Sequence, residues 1–261
     1  LGLKPSLDEG SPGQNVLGLK PSLDEGSPGQ NVLGNVVRIS SKLPGEFNLY
    51  NILAAASYAK AIGIPIEKIK TEIEKVKSIR GRAEEITLED SVSLRSDLES
   101  GKRSDLERSA QTQNFKVIVD YAHTPDSLEK LYQTYAGKYR ICVLGNTGGG
   151  RDRWKRPVMA GIAEKYCDEI ILTNEDPYDE DPRAIIREMA AGMKRKQPTL
   201  ILYRREAIVA ALRRAERGSV VLITGKGTDP YIMGPHGAKE PWDDATVAKE
   251  ELQKILLRQN S

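Results

Sequence analysis

Residues that are suited to chemistry lie directly after stretches that are predicted to be strands. The first such segment reads DYAHTP at positions 120–125 and contains Asp120 and His123. An Asp at the end of a buried strand can accept hydrogen bonds from ribose hydroxyls or help to hold a metal ion, and a His just before a helix can face an anion. Capping of nearby backbone groups accounts for the same pair, and for an isolated D-x-x-H it is the more frequent explanation.

A glycine-rich segment, GNTGGGRDRWKRP at positions 145–157, follows the next predicted strand. Glycines let the backbone approach a ligand closely, so that amide groups at the start of a helix can bind an anion. Positive charge comes from four side chains, Arg151, Arg153, Lys155 and Arg156, and arginine can bind a carboxylate through two parallel hydrogen bonds. The segment is not a nucleotide phosphate loop, because Arg151 and Asp152 stand where such a loop requires Lys and Ser or Thr.

Two further segments, TNEDPY at 173–178 and TGKGTD at 224–229, also follow apolar stretches. Their carboxylates can bind the ammonium group of a substrate. Asn, Asp, Pro and Gly are equally typical of ordinary turns, so that each segment alone is weak evidence for a site. The second segment also lacks the upstream glycine of a phosphate loop, and we therefore predict that this chain contains none.

The elements that must position these segments alternate between strand and helix from residue 115 onward. Short apolar stretches predict strands at 115–119, 139–144, 169–173, 199–203 and 219–224, and helices are predicted between them and at 246–257. Thr124 and Asp181, each followed by a Pro, predict the starts of two of these helices. This alternation predicts an α/β domain with a doubly wound, mostly parallel sheet, in which ligands bind at the carboxyl ends of the strands. Helical spacing predicts two further helices upstream, at 48–63 and 66–76.

The start of the chain is repetitive. Residues 1–16 and 17–32 are identical, and the pentapeptide RSDLE occurs at 95–99 and again at 103–107. The Gly-, Pro- and Ser-rich composition of residues 1–34 predicts a loop-like or disordered segment, and the second repeat is interpreted as an expanded surface loop. Because the first residue is Leu1, we expect a processed chain or a fragment of a longer reading frame.

Composition argues against several classes of protein. A net charge of +2 on 261 residues gives no basic excess of the kind that nucleic-acid binding requires. No apolar run approaches the roughly 20 residues that span a bilayer, and no signal peptide is recognisable. With two cysteines, Cys142 and Cys167, a disulfide framework is not available. We therefore expect a reduced, cytoplasmic protein without nucleic-acid or membrane partners.

The motifs in their order along the chain resemble the Mur ligases, and among them those that add the third residue of the peptidoglycan stem peptide. The resemblance runs from about residue 35 to the C-terminus, through LPGEFNLYNILAAA, IRGRAEEI, VDYAHTPDSLE, GNTGGGRDRWKRPVM, TNEDPYDEDPRAI, TGKGTDPY and PWDDATVAKE. It implies that residues 79–261 are the Rossmann-like C-terminal domain and residues 35–78 a remnant of the central ATPase domain. The N-terminal UDP-substrate domain and most of the central domain are then missing.

The activity implied by the resemblance is ATP-dependent addition of an amino acid to a UDP-N-acetylmuramoyl-peptide through an acyl phosphate. ATP and Mg²⁺ would be bound mainly by the missing central domain, so that we expect this chain alone to be inactive. The residues that match nucleotide-binding positions of the family are Asn51, Arg82, Asp120 and His123. Those that match positions for the amino-acid substrate are Arg151, Asp176, Tyr178, Gly225 and Asp229. No catalytic residue or metal ligand is assigned within this chain.

The segments that match the family's positions for the amino-acid substrate, here called the acceptor site, depart from the family pattern. Enzymes that add meso-diaminopimelate usually read Asp-Asn-Pro-Arg where this chain reads EDPY at 175–178, and Asp229 replaces a Glu. Loss of that Arg removes a bidentate partner for a second carboxylate, which argues against meso-diaminopimelate without identifying the amino acid. Two alternatives stay open: a binding module for an amino acid or nucleotide without catalysis, and a ligase of the folylpolyglutamate or cyanophycin synthetase type.

Overall fold

The computed structural model describes residues 15–19, 37–87, 115–150 and 152–259. The chain divides into two compact units, residues 1–79 and 80–261. That residues 35–78 are a remnant of an ATPase domain stays a prediction. Both copies of RSDLE and Arg151 fall outside the described residues.

The first unit contains two strands and two helices. Strand β1 (Asn15–Leu19) pairs antiparallel with β2 (Val37–Ser41), and the helices are α1 (Glu46–Ala61) and α2 (Ile66–Lys75). Both helices begin and end within two residues of the predicted limits. Strand β1 lies inside the tandem repeat, which corrects the expectation of disorder for these five residues. They are the most apolar part of the repeat, and β2 offers their backbone a partner.

The second unit is built on a six-stranded sheet. Its strands are β3 (Glu84–Glu85), β4 (Lys116–Asp120), β5 (Arg140–Leu144), β6 (Glu169–Leu172), β7 (Thr199–Leu200) and β8 (Val220–Thr224). Their order across the sheet is β3-β4-β8-β5-β6-β7, with β3 antiparallel and every other pair parallel. The predicted mostly parallel α/β fold is confirmed. Strand β7 is shorter than predicted, and β3 was missed because two glutamates carry no apolar pattern.

Helices cover the sheet on both faces. They are α3 (Pro125–Thr134), α4 (Lys155–Tyr166), α5 (Pro182–Ala190), α6 (Arg204–Arg214) and α7 (Asp244–Gln259). Alternate residues of β4, β5 and β8, such as Val119, Val143 and Ile223, form one core with α6 and α7. The residues between them are also buried, and α3, α4 and α5 pack side by side. This arrangement is the doubly wound architecture that the sequence predicted.

Two helix starts were predicted correctly from their capping residues. Thr124 accepts a hydrogen bond from the Ser127 amide at the start of α3, where Pro125 occupies the first turn. Asp181 accepts one from the Arg183 amide at the start of α5. A hairpin of β9 (Tyr231–Met233) and β10 (Lys239–Pro241), joined through a 3₁₀ turn at Pro235–Gly237, was not predicted.

The two cysteines are joined, which corrects the expectation of reduced thiols. Cys142 in β5 and Cys167 at the end of α4 form a disulfide with a Cα–Cα distance of 6.1 Å. The connection arises because α4 returns the chain to the sheet beside β5 before β6 begins. In the described ranges, no helix combines the length and the apolar character that crossing a bilayer requires.

Candidate functional site

The register of the sheet brings the four predicted segments to one edge. Asp120 of β4 and Leu144 of β5 both lie opposite Thr224 of β8, and Leu144 lies opposite Leu172 of β6. The loops that follow these strands therefore start side by side. This is the carboxyl edge of a parallel sheet, where ligands bind in doubly wound folds.

Asp120 stabilises the loop before β3 through a hydrogen bond. Its carboxylate accepts hydrogen bonds from the amides of Ala83 at 2.6 Å and Ala122 at 2.7 Å. Burial raises the pKa of Asp120 above its usual value, although both amide hydrogen bonds act in the opposite direction. Ala83 adopts a φ of 48°, a left-handed conformation that this contact stabilises. The capping explanation of Asp120 is thus the one that the geometry favours, and its indirect effect is to position Arg82.

Arg82 and His123 lie together on the exposed side of that loop. The Arg82 guanidinium lies 5.1 Å from the centre of the Tyr121 ring, and the His123 ring lies 4.7 Å from the same ring. His123 Nδ1 is 2.9 Å from the Tyr121 carbonyl oxygen. Cationic and aromatic groups of this kind can contact the base, ribose or phosphates of a nucleotide. The structure thus brings together three of the four residues that were predicted on the nucleotide side, Arg82, Asp120 and His123.

Asn51, the fourth of these residues, lies in the first unit. It is exposed on α1, and its amide donates a hydrogen bond of 3.2 Å to Asn48 Oδ1. Asn48 is buried and in turn donates to the Pro44 carbonyl oxygen at 2.7 Å. The contact with Asn48 holds the Asn51 side chain against its own helix.

The glycine-rich loop uses its amides within the protein. The Gly148 amide donates to the Asp176 carbonyl oxygen at 2.6 Å, and the Gly150 amide donates to Glu180 Oε1 at 2.7 Å. A Cβ atom on Gly148 would lie 2.1 Å from the Pro177 carbonyl oxygen, so that only glycine permits this approach. The expectation that these amides face an external anion is therefore corrected for Gly148 and Gly150, because the loop after β6 already supplies the oxygens.

Two of the four cations of this segment, Arg153 and Arg156, are also paired internally. The fully buried Arg156 guanidinium binds both carboxylate oxygens of Glu180 at 3.0 Å, Glu188 at 2.7 Å and the Thr147 carbonyl oxygen at 3.0 Å. Arg153 binds Glu188 as well. These contacts connect the glycine-rich loop to the loop after β6 and to α5. Arg153 and Arg156, which were counted toward anion binding, therefore position these loops.

A buried lysine joins the two acidic positions of the predicted acceptor site. Lys226 Nζ lies 2.9 Å from both carboxylate oxygens of Asp176 and 3.0 Å from Asp229. Asp176 also accepts the Met233 amide at 2.8 Å. The Asp229 side chain is about one third exposed, whereas that of Lys226 is 1% exposed. Lys226 was not predicted as a site residue, although a lysine between two glycines after a buried strand is a recognisable signal.

The remaining acceptor positions lie beside this ion cluster. Tyr178 adopts a φ of 50° and donates its amide to the Met233 carbonyl oxygen at 3.0 Å. Its ring lies 3.4 Å from where a Cβ atom on Gly149 would be. The structure thus brings Asp176, Tyr178 and Asp229 to one place, whereas Arg151 lies outside the described residues.

Glu175 is a buried acid that sequence analysis did not single out. Its Oε2 has no hydrogen-bond partner among the described residues and lies 2.3 Å from where a Cβ atom on Gly225 would be. Gly225 has a φ of 110°, so that both its conformation and its neighbour require glycine. Burial, and secondarily the negative charge of Asp176, raises the pKa of Glu175 to about 7, against the opposing effect of Arg204 and Lys226. The group is therefore largely neutral below pH 7.

Arg204 anchors the loops after β6 and β8. Its guanidinium binds the Asp244 carboxylate at 2.8 and 2.6 Å, the Thr224 carbonyl oxygen at 2.8 Å and the Asn174 carbonyl oxygen at 3.3 Å. The side chains of both charged partners are 0% exposed. Nothing in the local sequence distinguished Arg204 from a surface arginine at the start of a helix. In the described part of the chain, no group of three or more His, Cys, Asp or Glu residues is arranged to hold a metal ion.

Comparison with known proteins identifies the family of the second unit. The family described as "Mur ligase, glutamate ligase domain" matches residues 103–227. This part of the chain is a Mur ligase domain. A diaminopimelate-adding ligase of Syntrophomonas wolfei, named UDP-N-acetylmuramoyl-L-alanyl-D-glutamate–2,6-diaminopimelate ligase, is 40% identical over 207 residues, which cover 77% of this chain. The chain spans 37% of that relative's length.

Solved structures agree with the Mur ligase assignment. A structure of a UDP-N-acetylmuramoyl-L-alanyl-D-glutamate–2,6-diaminopimelate ligase is 28% identical with a TM-score of 0.56, and the match covers 85% of this chain and 41% of that one. A Mycobacterium tuberculosis folylpolyglutamate synthase, complexed with ADP and AMPPCP, has a TM-score of 0.55 at 18% identity, covering 98% of this chain and 47% of that one. The second likeness shows that the fold is shared and no more.

Proposed function

We propose that the chain is part of an ATP-dependent ligase that adds an amino acid to a UDP-N-acetylmuramoyl-peptide in peptidoglycan precursor synthesis. The observation that carries the proposal is the convergence of the loops after β4, β5, β6 and β8 on one sheet edge of a Mur ligase domain. The names of the relatives support the choice of substrate class. A cytoplasmic setting is part of the proposal, because the reaction consumes ATP.

The proposed reaction has two chemical steps. When bound, ATP with Mg²⁺ would supply a phosphoryl group to the peptide carboxylate, giving an acyl phosphate and ADP. The neutral amine of the amino acid would then attack the acyl carbon, lose a proton to form the amide, and expel inorganic phosphate. Arg82 and His123 fit a role in contacting the nucleotide, with Asn51 as a further candidate from the first unit. The carboxylate of Asp120 is committed to backbone amides and does not fit a metal. The phosphate loop and the Mg²⁺ ligands are therefore assigned to other parts of a complete ligase.

The acceptor side is proposed to hold a diamino acid. Asp229 and Gly225 lie at its far end, Asp176 and Tyr178 line it, and Arg151 is retained as the candidate partner of the amino acid's carboxylate. Lys226 has its ammonium bound to Asp176 and Asp229 and is therefore not available for a second substrate carboxylate. Tyr178 supplies no positive charge there. These features favour an acceptor whose far end is an ammonium group alone over meso-diaminopimelate.

The test is a ligation assay with the complete reading frame that encodes this chain. The purified product is incubated with ATP, Mg²⁺, UDP-N-acetylmuramoyl-L-alanyl-D-glutamate and either L-lysine or meso-diaminopimelate, and phosphate release and product mass are measured. A UDP-linked tripeptide is expected, with L-lysine as the better acceptor. Phosphate release with a folate and glutamate, but with no muramoyl substrate, would replace the proposal with a folylpolyglutamate-type ligase. Binding of amino acid or nucleotide without any turnover would support the alternative of a non-catalytic module.

A further inference from the structure

One cation of the glycine-rich segment differs from its neighbours. Arg156 and Arg153 are bound to glutamates of the adjoining loop and of α5. The Lys155 side chain is 9% exposed, and its closest acidic group, Asp152 Oδ2, lies 3.8 Å away, beyond hydrogen-bond distance. Among the described residues no hydrogen bond reaches its Nζ. The Lys155 side chain is thus nearly buried along its length, and its ammonium has no hydrogen-bonded partner among the described residues.

The donors of such an ammonium can be taken up only by a group from outside the described residues, either water or a ligand. Removal of an ammonium from water weakens its hydration, and a loose contact with the exposed Asp152 does not replace it. Glu175 is a neighbouring buried acid, and the positive charge of Lys155 acts to lower its pKa. Its Oε2 is unpartnered too, so that it does not serve as the hydrogen-bonded counter-ion of Lys155. The positive charge of Lys155 is therefore available to a ligand at the carboxyl edge of the sheet, between the glycine-rich loop and the loop after β6.

We propose that Lys155 binds an oxyanion of the ligand, either a carboxylate of the acceptor amino acid or a phosphoryl oxygen. The identity of that ligand rests on the proposed function, whereas the anion-binding role of Lys155 does not. Lys155 occupies the first turn of α4, where the positive end of the helix dipole also favours an anion. An arriving oxyanion would complete the hydrogen bonding of the ammonium and would be held by a charge-assisted contact.

The experiment uses the 261-residue chain with ¹³C-labelled lysine, titrated separately with inorganic phosphate, L-lysine and L-lysinamide. The Lys155 Cε signal is expected to shift with at least one oxyanion. A shift with L-lysine but not with the amide assigns the carboxylate, and a shift with phosphate assigns the phosphoryl group. Lys155→Met is expected to weaken the effective ligand about tenfold or more, whereas Lys155→Arg retains binding to within about threefold. Lys165→Met, an exposed position on the same helix, is the matched control and leaves binding unchanged.

Thermal unfolding separates this role from a structural one. Lys155→Met keeps an apolar stem and removes a charge that has no hydrogen-bonded partner among the described residues, so that its melting temperature is expected to equal or exceed that of the wild type. A lower melting temperature with unchanged binding would overturn the proposal, and so would a Lys155 signal that none of the probes shifts. The wild-type titration decides the matter even where a variant does not fold. Oxyanion binding through Lys155 together with failed muramoyl ligation by the complete enzyme would refute the proposed function while leaving this inference intact.

Discussion

Replacement of Glu175 by Gln is expected to change how the stability of the second unit depends on pH. Burial raises the pKa of this carboxyl from 4.5 to about 7 in the folded chain. Between these values the unfolded chain has lost its proton while the folded chain keeps it. The folded state then binds more protons, so that stability is greatest below pH 4.5 and falls as the pH rises toward and through 7.

The expected magnitude follows from the two pKa values. Each tenfold change in an ionisation constant corresponds to about 1.4 kcal/mol, so that a pKa that moves from 4.5 to about 7 lowers the free energy of unfolding by about 3 kcal/mol at high pH. Gln has nearly the same shape and carries no ionisable proton. Glu175→Gln should therefore match the wild type to within about 1 kcal/mol at pH 5 and exceed it by about 3 kcal/mol at pH 8.5.

Urea unfolding at pH values from 5 to 8.5 measures this difference directly. The matched control is Glu206→Gln, which alters an exposed glutamate in the first turn of α6. Its stability profile should run parallel to that of the wild type. A constant difference between Glu175→Gln and the wild type at every pH would refute the reasoning, because it would mean that Glu175 does not change its ionisation on folding.

Three further outcomes are expected. Asp244→Leu leaves the buried Arg204 guanidinium without its carboxylate and should lower the free energy of unfolding by about 3–5 kcal/mol in urea titrations. The double variant that also carries Arg204→Met should recover much of the lost free energy of unfolding. Gly148→Ala places a Cβ atom 2.1 Å from the Pro177 carbonyl oxygen and should cost about 1–3 kcal/mol in thermal unfolding, while Gly161→Ala, with its nearest atom at 3.7 Å, should be neutral or stabilising. The 261-residue chain alone should release no phosphate from ATP above a buffer blank in a colorimetric assay, since it has no phosphate-loop motif.

Local patterns predicted most of the sheet and its helices. The apolar runs that became β4, β5, β6 and β8 are continuous because both faces of these strands are buried, and Thr124 and Asp181 marked helix starts through their side-chain oxygens. Elements that depend on a distant partner were missed. The two residues of β3 become a strand only by pairing with Val119 and Ile118.

The site was predicted in its location better than in its contacts. The resemblance assigned Arg82, Asp120 and His123 to the nucleotide and Asp176, Tyr178 and Asp229 to the amino-acid substrate, and these roles stay predictions. Sequence alone could not show that Lys226 lies against Asp176, fifty residues away in the chain, because such pairing depends on the completed fold. For the same reason it overestimated the free positive charge of the glycine-rich segment, where Arg156 is bound to Glu180.

These internal pairings have a consequence for how the domain recognises its ligands. Arg156 and Arg204 together hold the loops after β5, β6 and β8 through carbonyl and carboxylate oxygens. Loops that are fixed in this way lose little conformational entropy when a ligand binds, and a rigid supporting shell keeps contact groups close to their productive positions. Specificity then depends on the groups that the network leaves uncommitted or partly exposed, such as Lys155 and Asp229. Substitution within the network should therefore reduce stability and affinity together, whereas substitution of Lys155 should reduce affinity alone.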